Sequence, residues 1–576
     1  MYKYLALLLG LVVSQASAED VVKRSKATMD SGAALSQQAS AYSITHYTLR
    51  NDILIEQKAI AGSGEITIEA RSSLEVLELD FDGLMEVDSI SDTQGELEFT
   101  RTDSKIFVSL RKQLRKGESD TVTVYYHGTP REAIRAPWDG GFVWSTSPSG
   151  KPWIATAMQG EGCDLWWPCK DHTDGEPKSM DLYFTVPTGL IAAANGFLVE
   201  VTEKDGRSTF HWRTRVQTNT YGIALNIGDY VLIEMDYESV NGTIIPVKFW
   251  ALRENEDRAR GFFDREFVDT LDFFEETLGP YPWGEEKLGI VETPHYGMEH
   301  QTINAYGRDY QRITYGFDYI LNHELAHEWF GNLMTHATPS DLWLHEGFGT
   351  FMQPAYTRWH SGDAAYHALN YEQDKRISAC NPVAPREYMS LGELYFSEEG
   401  GSGPGGDIYG KGSAVLRSLQ YVVGEDVFWR AVRRLLYDTA EPSKLQPPLQ
   451  ARYRSTDDFL RIVNEEAGED LSWFFEVYLR RGPLPEVVMT EAEGDLIFNW
   501  QAPDDLEFPM PLPVSINGKH QRIEFSDNQA ILEDTKRRAV LIDPLRSILR
   551  KTEEVPLCEE RRAEQAAAAA AAESDS

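Results

Sequence analysis

The sequence predicts a multidomain α+β protein, and three changes of residue pattern along its 576 residues support this prediction. Short alternating segments rich in β-branched and aromatic residues continue to about residue 237. Apolar residues then recur at spacings of three and four, and strand-like segments return after Pro483. A chain of this length needs more than one hydrophobic core. We therefore expect an N-terminal all-β domain, a mainly helical domain and a small C-terminal β-sandwich.

The N-terminus, MYKYLALLLGLVVSQASAED, has the pattern of a secretory signal peptide over residues 1–18. Lys3 gives a basic start, an apolar stretch follows, and Ala16, Ser17 and Ala18 supply small residues for cleavage. The alternative is a buried N-terminal strand. Later apolar runs are too short to span a membrane. We expect the mature chain to be exported, periplasmic or extracellular, and to have no membrane anchor.

The remaining boundaries follow the composition. Residues 19–40 are small and polar, which is typical of a linker. Residues 41–237 form the β domain, with alternating segments such as GEITIEA and DTVTVYYHG. Residues 238–482 form the helical domain, since FDYILNHELAHEWFGNLM and DDFLRIVNEEAG have helical periodicity. Strand signals indicate the β-sandwich over residues 483–552, and the alanine-rich residues 553–576 form a low-complexity tail.

Charge and cysteine content limit the classes of partner. The chain has 55 basic and 91 acidic residues and a net charge of −36. Such an excess repels phosphate backbones and anionic lipids, so we expect neither nucleic acid nor a membrane surface as a partner. Cys163, Cys169, Cys380 and Cys558 could pair in three ways, and their spacing does not fit a structural zinc site. The sequence predicts neither a disulfide pairing nor an oligomeric state.

The strongest chemical signal is the segment from His323 to His327, HELAH. Residues four apart share one face of a helix, so both imidazoles can reach one metal ion. Glu324 lies beside them and can contact a water molecule at the ion without ligating the metal. Apolar residues continue on the other side of this helix as far as Leu333 and predict a buried face. The alternative is a pair of histidines on an ordinary helix surface.

Glu346 supplies the context that favours a metal site. It follows His327 by nineteen residues, in the second helical segment SDLWLHEGFGTFMQ. Two helices joined by a turn can bring this carboxylate to the same ion. Three protein ligands and an open fourth position are typical of a catalytic zinc, whereas a structural zinc has four protein ligands. The sequence predicts one Zn²⁺ per chain, bound by His323, His327 and Glu346, with Glu324 as the base that activates water.

HELAHEWFGN followed by DLWLHEGF resembles the M1 family of gluzincin aminopeptidases. The resemblance extends upstream through ETPHYGMEHQTINAYG and downstream to IYGKGSAVLRSL. It implies a thermolysin-like catalytic domain preceded by a β domain and followed by a β-sandwich. It also implies an enzyme that removes the N-terminal residue from peptides.

The same resemblance implies roles for five further residues. Glu299 would bind the free α-amino group of the substrate, and Gly297 and Met298 would contact the substrate through their backbone. Gln159, in MQGEGCDLWWPC, would help to bind the same amine. The hydroxyl of Tyr409 would stabilise the oxyanion that forms during hydrolysis. The alternatives are a surface carboxylate, a structural glutamine and a core tyrosine.

Three residues depart from the family pattern: Tyr296 replaces a glycine, His300 an asparagine, and Gln353 a glutamate found in many members. We expect altered hydrogen bonding around the zinc ligands but retained activity. Two other functions remain open. A zinc endopeptidase could use the same metal ligands, although Glu299 argues against it, and a non-catalytic binding scaffold is disfavoured by the complete ligand set. The sequence therefore predicts a zinc aminopeptidase whose partners are peptides with a free N-terminus.

Overall fold

The computed structural model describes residues 29–395, 403–533, 538–555 and 558. The predicted signal peptide, the first part of the predicted linker and most of the alanine-rich tail lie outside these residues. In the part of the chain that the structure describes, none of the helices combines the length and the apolar character needed to cross a membrane.

The N-terminal region is built from β-strands. Its largest sheet has eight strands in the order β13-β14-β11-β1-β2-β8-β4-β5, and smaller sheets have the orders β12-β15-β10-β9 and β3-β7-β6. Burial alternates along β11, where Met180, Leu182, Phe184 and Val186 are buried, because successive side chains of a strand point to opposite faces. The strands are β1 (Tyr42–Leu54), β2 (Ala59–Ala70), β3 (Leu74–Asp80), β4 (Met85–Asp92), β5 (Gly95–Glu96), β6 (Phe99–Arg101), β7 (Lys105–Leu114), β8 (Ser119–Gly128), β9 (Gly141–Thr146), β10 (Pro152–Ala157), β11 (Met180–Pro187), β12 (Ile191–Ala194), β13 (Phe197–Lys204), β14 (Arg207–Thr214) and β15 (Leu225–Gly228).

Residues 29–40, in the predicted linker, are packed between the β-rich region and the helical region. They include the short helix α1 (Gln37–Ser40), whose N-terminus is capped by the Ser36 side chain. Gly32 N–H donates to the carbonyl of Asp171 in the β-rich region at 3.2 Å. Leu391 N–H, from the helical region, donates to the carbonyl of Ser31 at 2.8 Å.

A five-stranded sheet connects the β-rich region to the helices. Its order is β16-β17-β18-β20-β19, so β19 lies at one edge. The strands β17, β18 and β20 are parallel neighbours, whereas β19 runs antiparallel to β20. The strands are β16 (Tyr230–Glu238), β17 (Ile244–Leu252), β18 (Leu288–Glu292), β19 (Gly297–Met298) and β20 (Asn304–Tyr306).

The first long helix connects β17 to β18 of this sheet and the other helices follow the sheet, as the spacing of apolar residues predicts. A short parallel pair, β21 (Met334–His336) and β22 (Arg452–Arg454), lies among them. The helices are α2 (Glu256–Thr277), α3 (Tyr319–Ala326), α4 (Trp343–Ser361), α5 (Asp363–Asp374), α6 (Leu391–Tyr395), α7 (Gly410–Val423), α8 (Glu425–Tyr437), α9 (Thr456–Ala467) and α10 (Ser472–Leu479).

The helix α3 is shorter than the sequence predicts. It ends at Ala326 in a tighter turn, in which Trp329 N–H donates to the carbonyl of Ala326. Wider turns follow: Asn332 N–H donates to the carbonyl of His327 and Leu333 N–H to that of Glu328. Gly331, with φ of 142°, then turns the chain toward β21. The predicted apolar face is nevertheless confirmed, since the apolar residues Leu321, Leu325, Trp329 and Leu333 are all buried.

The C-terminal region has two three-stranded sheets, with the orders β23-β24-β27 and β26-β25-β28. Their buried side chains belong to the same hydrophobic core as the helices, whereas the N-terminal strands have a second core. One disulfide joins Cys163 to Cys169, and another joins Cys380 to Cys558 and so ties the C-terminal end of the described chain to the helical region. The strands are β23 (Glu486–Ala492), β24 (Asp495–Gln501), β25 (Leu512–Ile516), β26 (Lys519–Ile523), β27 (Gln529–Leu532) and β28 (Val540–Ile542).

Candidate active site

The predicted metal ligands meet where α3 ends and α4 begins. His323 lies in α3, His327 directly follows that helix, and Glu346 lies in the first turn of α4. The two Nε2 atoms are 3.3 Å apart, and Glu346 Oε2 lies 3.6 Å from His323 Nε2 and 3.4 Å from His327 Nε2. Ligand atoms about 2.0–2.1 Å from a tetrahedral zinc are about 3.3–3.4 Å from one another. The donor set therefore fits a zinc ion in both chemistry and spacing.

Neighbouring groups orient two of these ligands. His327 Nδ1 lies 2.7 Å from the carbonyl oxygen of Phe330, so that its proton sits on Nδ1 and Nε2 presents a lone pair to the site. Glu346 Oε1 accepts hydrogen bonds from Gln159 Nε2 at 2.8 Å and from the Tyr395 hydroxyl at 3.4 Å. These bonds leave Oε2 facing the imidazoles. Burial opposes ionisation of Glu346, but a protonated His327, which cannot bind a metal through Nε2, holds the pKa of this carboxyl well below its usual range.

Glu324 lies next to the metal ligands and against β19. A Cβ atom at Gly297 would lie 2.3 Å from Glu324 Oε1, so this close approach requires glycine. Burial, followed by the negative charge of Glu299, raises the pKa of Glu324 well above its usual range. A buried carboxylate with a raised pKa is suited to accept a proton during catalysis.

Glu299 follows β19 and is 3% exposed. It groups with Glu324 and His327, with one oxygen or nitrogen of each within 4.8 Å of the others. Its Oε1 accepts a hydrogen bond from the Tyr221 hydroxyl at 3.2 Å and another from Gln159 Nε2. Burial raises the pKa of Glu299 to about 7, although the charge of His327 opposes this shift. The structure therefore places a second buried carboxyl group beside the zinc-binding group.

Gln159 and Tyr409 reach the site from different parts of the chain. Gln159 bridges the carboxylates of Glu299 and Glu346. Tyr409 lies at the N-terminus of α7, with its ring 6.3 Å from that of His323 between centroids. Asp407 fixes this turn, because its carboxylate accepts hydrogen bonds from the backbone of residues 378 and 379 at 2.8 and 2.7 Å. All nine predicted site residues thus lie in or beside the zinc-binding group.

Three further residues shape the site and were not predicted. Tyr221, in a turn, and Tyr395, at the end of α6, hydrogen bond to its carboxylates from distant parts of the chain, and no local pattern in the sequence indicates that role. Gly349 lies one turn after Glu346, where a Cβ atom would be 2.9 Å from His327 Cε1 and 3.3 Å from His323 Cε1. A glycine inside a helix, one turn from a predicted ligand, was a signal that could have identified it.

The three residues that depart from the family pattern lie in different surroundings. His300 is fully buried and burial lowers its pKa to about 3, so it is a neutral imidazole at pH 7. Gln353 donates to the carbonyl of Tyr319 at 3.4 Å. Tyr296 is half-buried and stacks on Trp138. Among the described residues, none of the three belongs to a group of side chains that could hold a metal ion.

Two family profiles and several curated proteins match the sequence of this chain. The profile of the Peptidase M1 N-terminal domain matches residues 43–221, and that of the Peptidase family M1 domain matches residues 266–478. "Probable aminopeptidase 1" of Sulfurisphaera tokodaii is 23% identical over 509 residues, and "Leucyl aminopeptidase" of Saccharolobus solfataricus is 24% identical over 519 residues. These alignments cover 82% and 81% of this chain but 59% of each relative.

The fold also matches solved structures. An M1 zinc metallopeptidase from Deinococcus radiodurans superposes with a TM-score of 0.61 at 21% identity, covering 77% of this chain and 95% of the other. A second M1 zinc metallopeptidase, described as a two-domain protein, gives a TM-score of 0.64 and covers 80% of this chain and 99% of the other. Because two profiles of one peptidase family match consecutive regions that make up more than half of the sequence, the chain belongs to peptidase family M1.

Proposed function

We propose that this protein is a zinc-dependent aminopeptidase that removes the N-terminal residue from peptides. The observation that carries the proposal is the convergence of three zinc-binding groups, the buried base candidate Glu324 and a second buried carboxyl group, Glu299, in one cleft. The names of the two archaeal relatives support it, and so does a similar structure of a mutant M1 zinc metallopeptidase bound to a Tyr-Ser-Ala substrate.

Glu299 and Gln159 explain why the substrate would need a free N-terminus. A buried carboxylate forms a strong charge-assisted hydrogen bond with an ammonium group. The Gln159 side chain bridges Glu299 and Glu346, so it holds both carboxylates in place and adds an amide oxygen as a further acceptor. A chain without a terminal amine would leave Glu299 without its charged partner, which is costly in a buried site.

The edge strand β19 provides a backbone surface for the substrate. It lies at the end of the five-stranded sheet, and an edge strand can pair with an added extended peptide. Gly297 holds this strand against Glu324. A peptide whose amine binds at Glu299 would therefore present its first peptide bond to the base and to the metal ligands.

Bound zinc supplies Lewis-acid polarisation of the peptide carbonyl and lowers the pKa of a water molecule. Glu324 accepts the proton of the attacking water and then delivers it to the leaving amine, a transfer that its raised pKa favours. The Tyr409 hydroxyl donates a hydrogen bond to the developing oxyanion. His323, His327 and Glu346 hold the ion while these proton transfers take place.

The test uses Glu324→Gln, which keeps the size of the side chain but removes the base. We expect one zinc per chain in the variant, as in the wild type, and a loss of at least a hundredfold in turnover of an aminoacyl-p-nitroanilide. The exposed Glu276 lies in α2, and Glu276→Gln serves as the control. Wild-type turnover by the zinc-loaded Glu324 variant would contradict the proposal. Cleavage of an N-acetylated peptide as fast as the free one would favour an endopeptidase instead.

We also propose that the protein is exported. The residue pattern of positions 1–18 supports export, and so do the two disulfides, which are typical of oxidising compartments. Cell fractionation with N-terminal sequencing tests this. Recovery of the mature chain, beginning near residue 19, outside the cytoplasm is expected, whereas a cytoplasmic chain that retains residue 1 would contradict it.

A further inference from the structure

Trp138 is an exposed aromatic residue held in a fixed position beside the cleft. Its side chain is 46% exposed. The loop that carries it is tied down by Arg131, which pairs with Asp139 and, at 2.7 Å, with Glu161. Gly140 N–H also donates to Glu161 at 3.2 Å. Because Glu161 follows Gln159 by two residues, the same contacts connect this loop to the segment that reaches the zinc-binding group.

Tyr296 forms the other half of an aromatic surface with Trp138. The two rings stack with centroids 6.0 Å apart and an interplanar angle of 28°. The Tyr296 hydroxyl accepts a hydrogen bond from Arg308, whose guanidinium carbon lies 5.9 Å from the ring centroid. Arg308 is itself held by the carbonyl of Gln311 at 2.8 Å. Both rings are therefore fixed before any ligand binds.

The order of groups along β19 places the aromatic surface on the C-terminal side of the peptide bond that would be cut. Glu299, which would bind the substrate amine, follows the strand, Gly297 packs against Glu324, and Tyr296 precedes the strand. At about 3.3 Å per residue, Tyr296 lies about 10 Å from Glu299 along the chain. An extended peptide covers that distance with its first two or three residues.

Side-chain direction is consistent with this placement. A Cβ atom at Gly297 would point at α3, since it would meet Glu324 and Ile320. Tyr296 directly precedes the strand, and its ring stacks on Trp138 at the end of β19 where the peptide would continue. The side chains of a peptide paired with β19 would alternate, so that one of those beyond the scissile bond would face the two rings.

We propose that Trp138 and Tyr296 bind the side chain of the second residue of the substrate and select apolar or aromatic residues there. The inference rests on the proposed aminopeptidase function and specifies its substrate class. An exposed indole that is already ordered gains from being covered by an apolar group without losing side-chain freedom. Acidic or small second residues would leave the rings exposed.

The experiment compares dipeptide amides that share one N-terminal residue and differ in the second: Phe, Leu, Ala or Asp. We expect wild-type kcat/KM to be about tenfold higher with Phe than with Ala, mainly through KM. Trp138→Ala should reduce this Phe/Ala ratio to within about twofold of unity, whereas Trp138→Phe should retain most of it. Trp359, which is also 46% exposed, lies in α4 about 20 Å along the helix from Glu346, and Trp359→Ala should leave the ratio unchanged.

A binding measurement separates this inference from the proposed function. Calorimetry with zinc-loaded Glu324→Gln protein and tripeptides that differ at the second residue should show the same tenfold preference, and Trp138→Ala should remove it. This result would support the aromatic surface even if turnover were absent. Equal affinity for Phe and Ala tripeptides, a preference that survives Trp138→Ala, or a preference at the third residue only would overturn the proposal.

Discussion

The substitution Gly349→Ala gives the sharpest test of the metal site, because it should weaken zinc binding although alanine favours the helix. In Gly349→Ala the new methyl carbon would lie 2.9 Å from His327 Cε1 and 3.1 Å from His327 Nε2. Carbon atoms in contact are normally about 3.5–4.0 Å apart, so the imidazole would have to move by roughly 0.6–1 Å. Zinc–ligand distances tolerate about 0.2 Å.

We therefore expect Gly349→Ala to weaken zinc binding by about 10- to 100-fold, the range found when groups that orient metal ligands are altered. This corresponds to about 1.4–2.7 kcal/mol. Replacing glycine by alanine inside a helix stabilises it by roughly 0.5–1 kcal/mol, which offsets part of the cost of moving the imidazole, so the zinc-free variant should melt close to the zinc-free wild type. Competition with a chromogenic zinc chelator measures the affinity, and calorimetric melting of the zinc-free proteins measures the stability.

Gly261 provides the matched control. It lies inside α2, and a Cβ atom there would meet nothing within 4 Å. Gly261→Ala should show the gain in helix stability without any change in zinc affinity. If Gly349→Ala binds zinc within twofold of the wild type, then His323, His327 and Glu346 do not surround the ion as the structure indicates.

Two other predictions concern the oxyanion and the pH dependence of stability. Tyr409→Phe removes only a hydroxyl, so zinc content and melting should be unchanged while kcat falls by about 10²–10³-fold; a kcat within threefold of the wild type would exclude Tyr409 from oxyanion stabilisation. Glu176 is buried between Gln217 and Tyr453, which donate hydrogen bonds at 3.0 Å each, and burial raises its pKa to about 8. Because the folded-state pKa is raised, this group's contribution to stability is complete below about pH 4.5 and is lost as the pH rises to about 8. Glu176→Gln should therefore melt progressively higher relative to the wild type across this range, and parallel Tm curves from pH 5 to 8 would contradict the assignment.

The convergence of the predicted metal ligands follows from the sequence because their geometry is local. His323 and His327 lie on one helical face, and Glu346 lies in the first turn of the next helix, α4. The early end of α3 could not be predicted, since the wider turns after His327 depend on tertiary packing and on the positive φ of Gly331. The division into strands, helices and strands follows from the change of hydrophobic period, which each segment carries by itself.

The hydrogen bonds to the Glu299 and Glu346 carboxylates, unlike the metal ligands, join residues that are far apart in the sequence. Gln159 and Tyr221 come from the β-rich region, and Tyr395 ends the later helix α6, yet all three hydrogen bond to Glu299 or Glu346. Such partners are brought together by the packing of the β-rich region against the helical region, so the short-range periodicity of the sequence cannot predict them. The shared core of the helices and the C-terminal sheets is unpredictable for the same reason.

This difference between local and long-range contacts bears on substrate choice. The zinc-binding group depends on a few turns of helix, and it would serve an aminopeptidase or an endopeptidase equally well. The groups that would distinguish these functions, Glu299 with Gln159 and Tyr221, and the aromatic pair of Trp138 and Tyr296, lie on loops and on an edge strand outside those helices. Substitutions there can change the substrate without moving a metal ligand. Membership of the family therefore constrains the proposed chemistry more tightly than the proposed peptide preference, which depends on Trp138 and Tyr296 themselves.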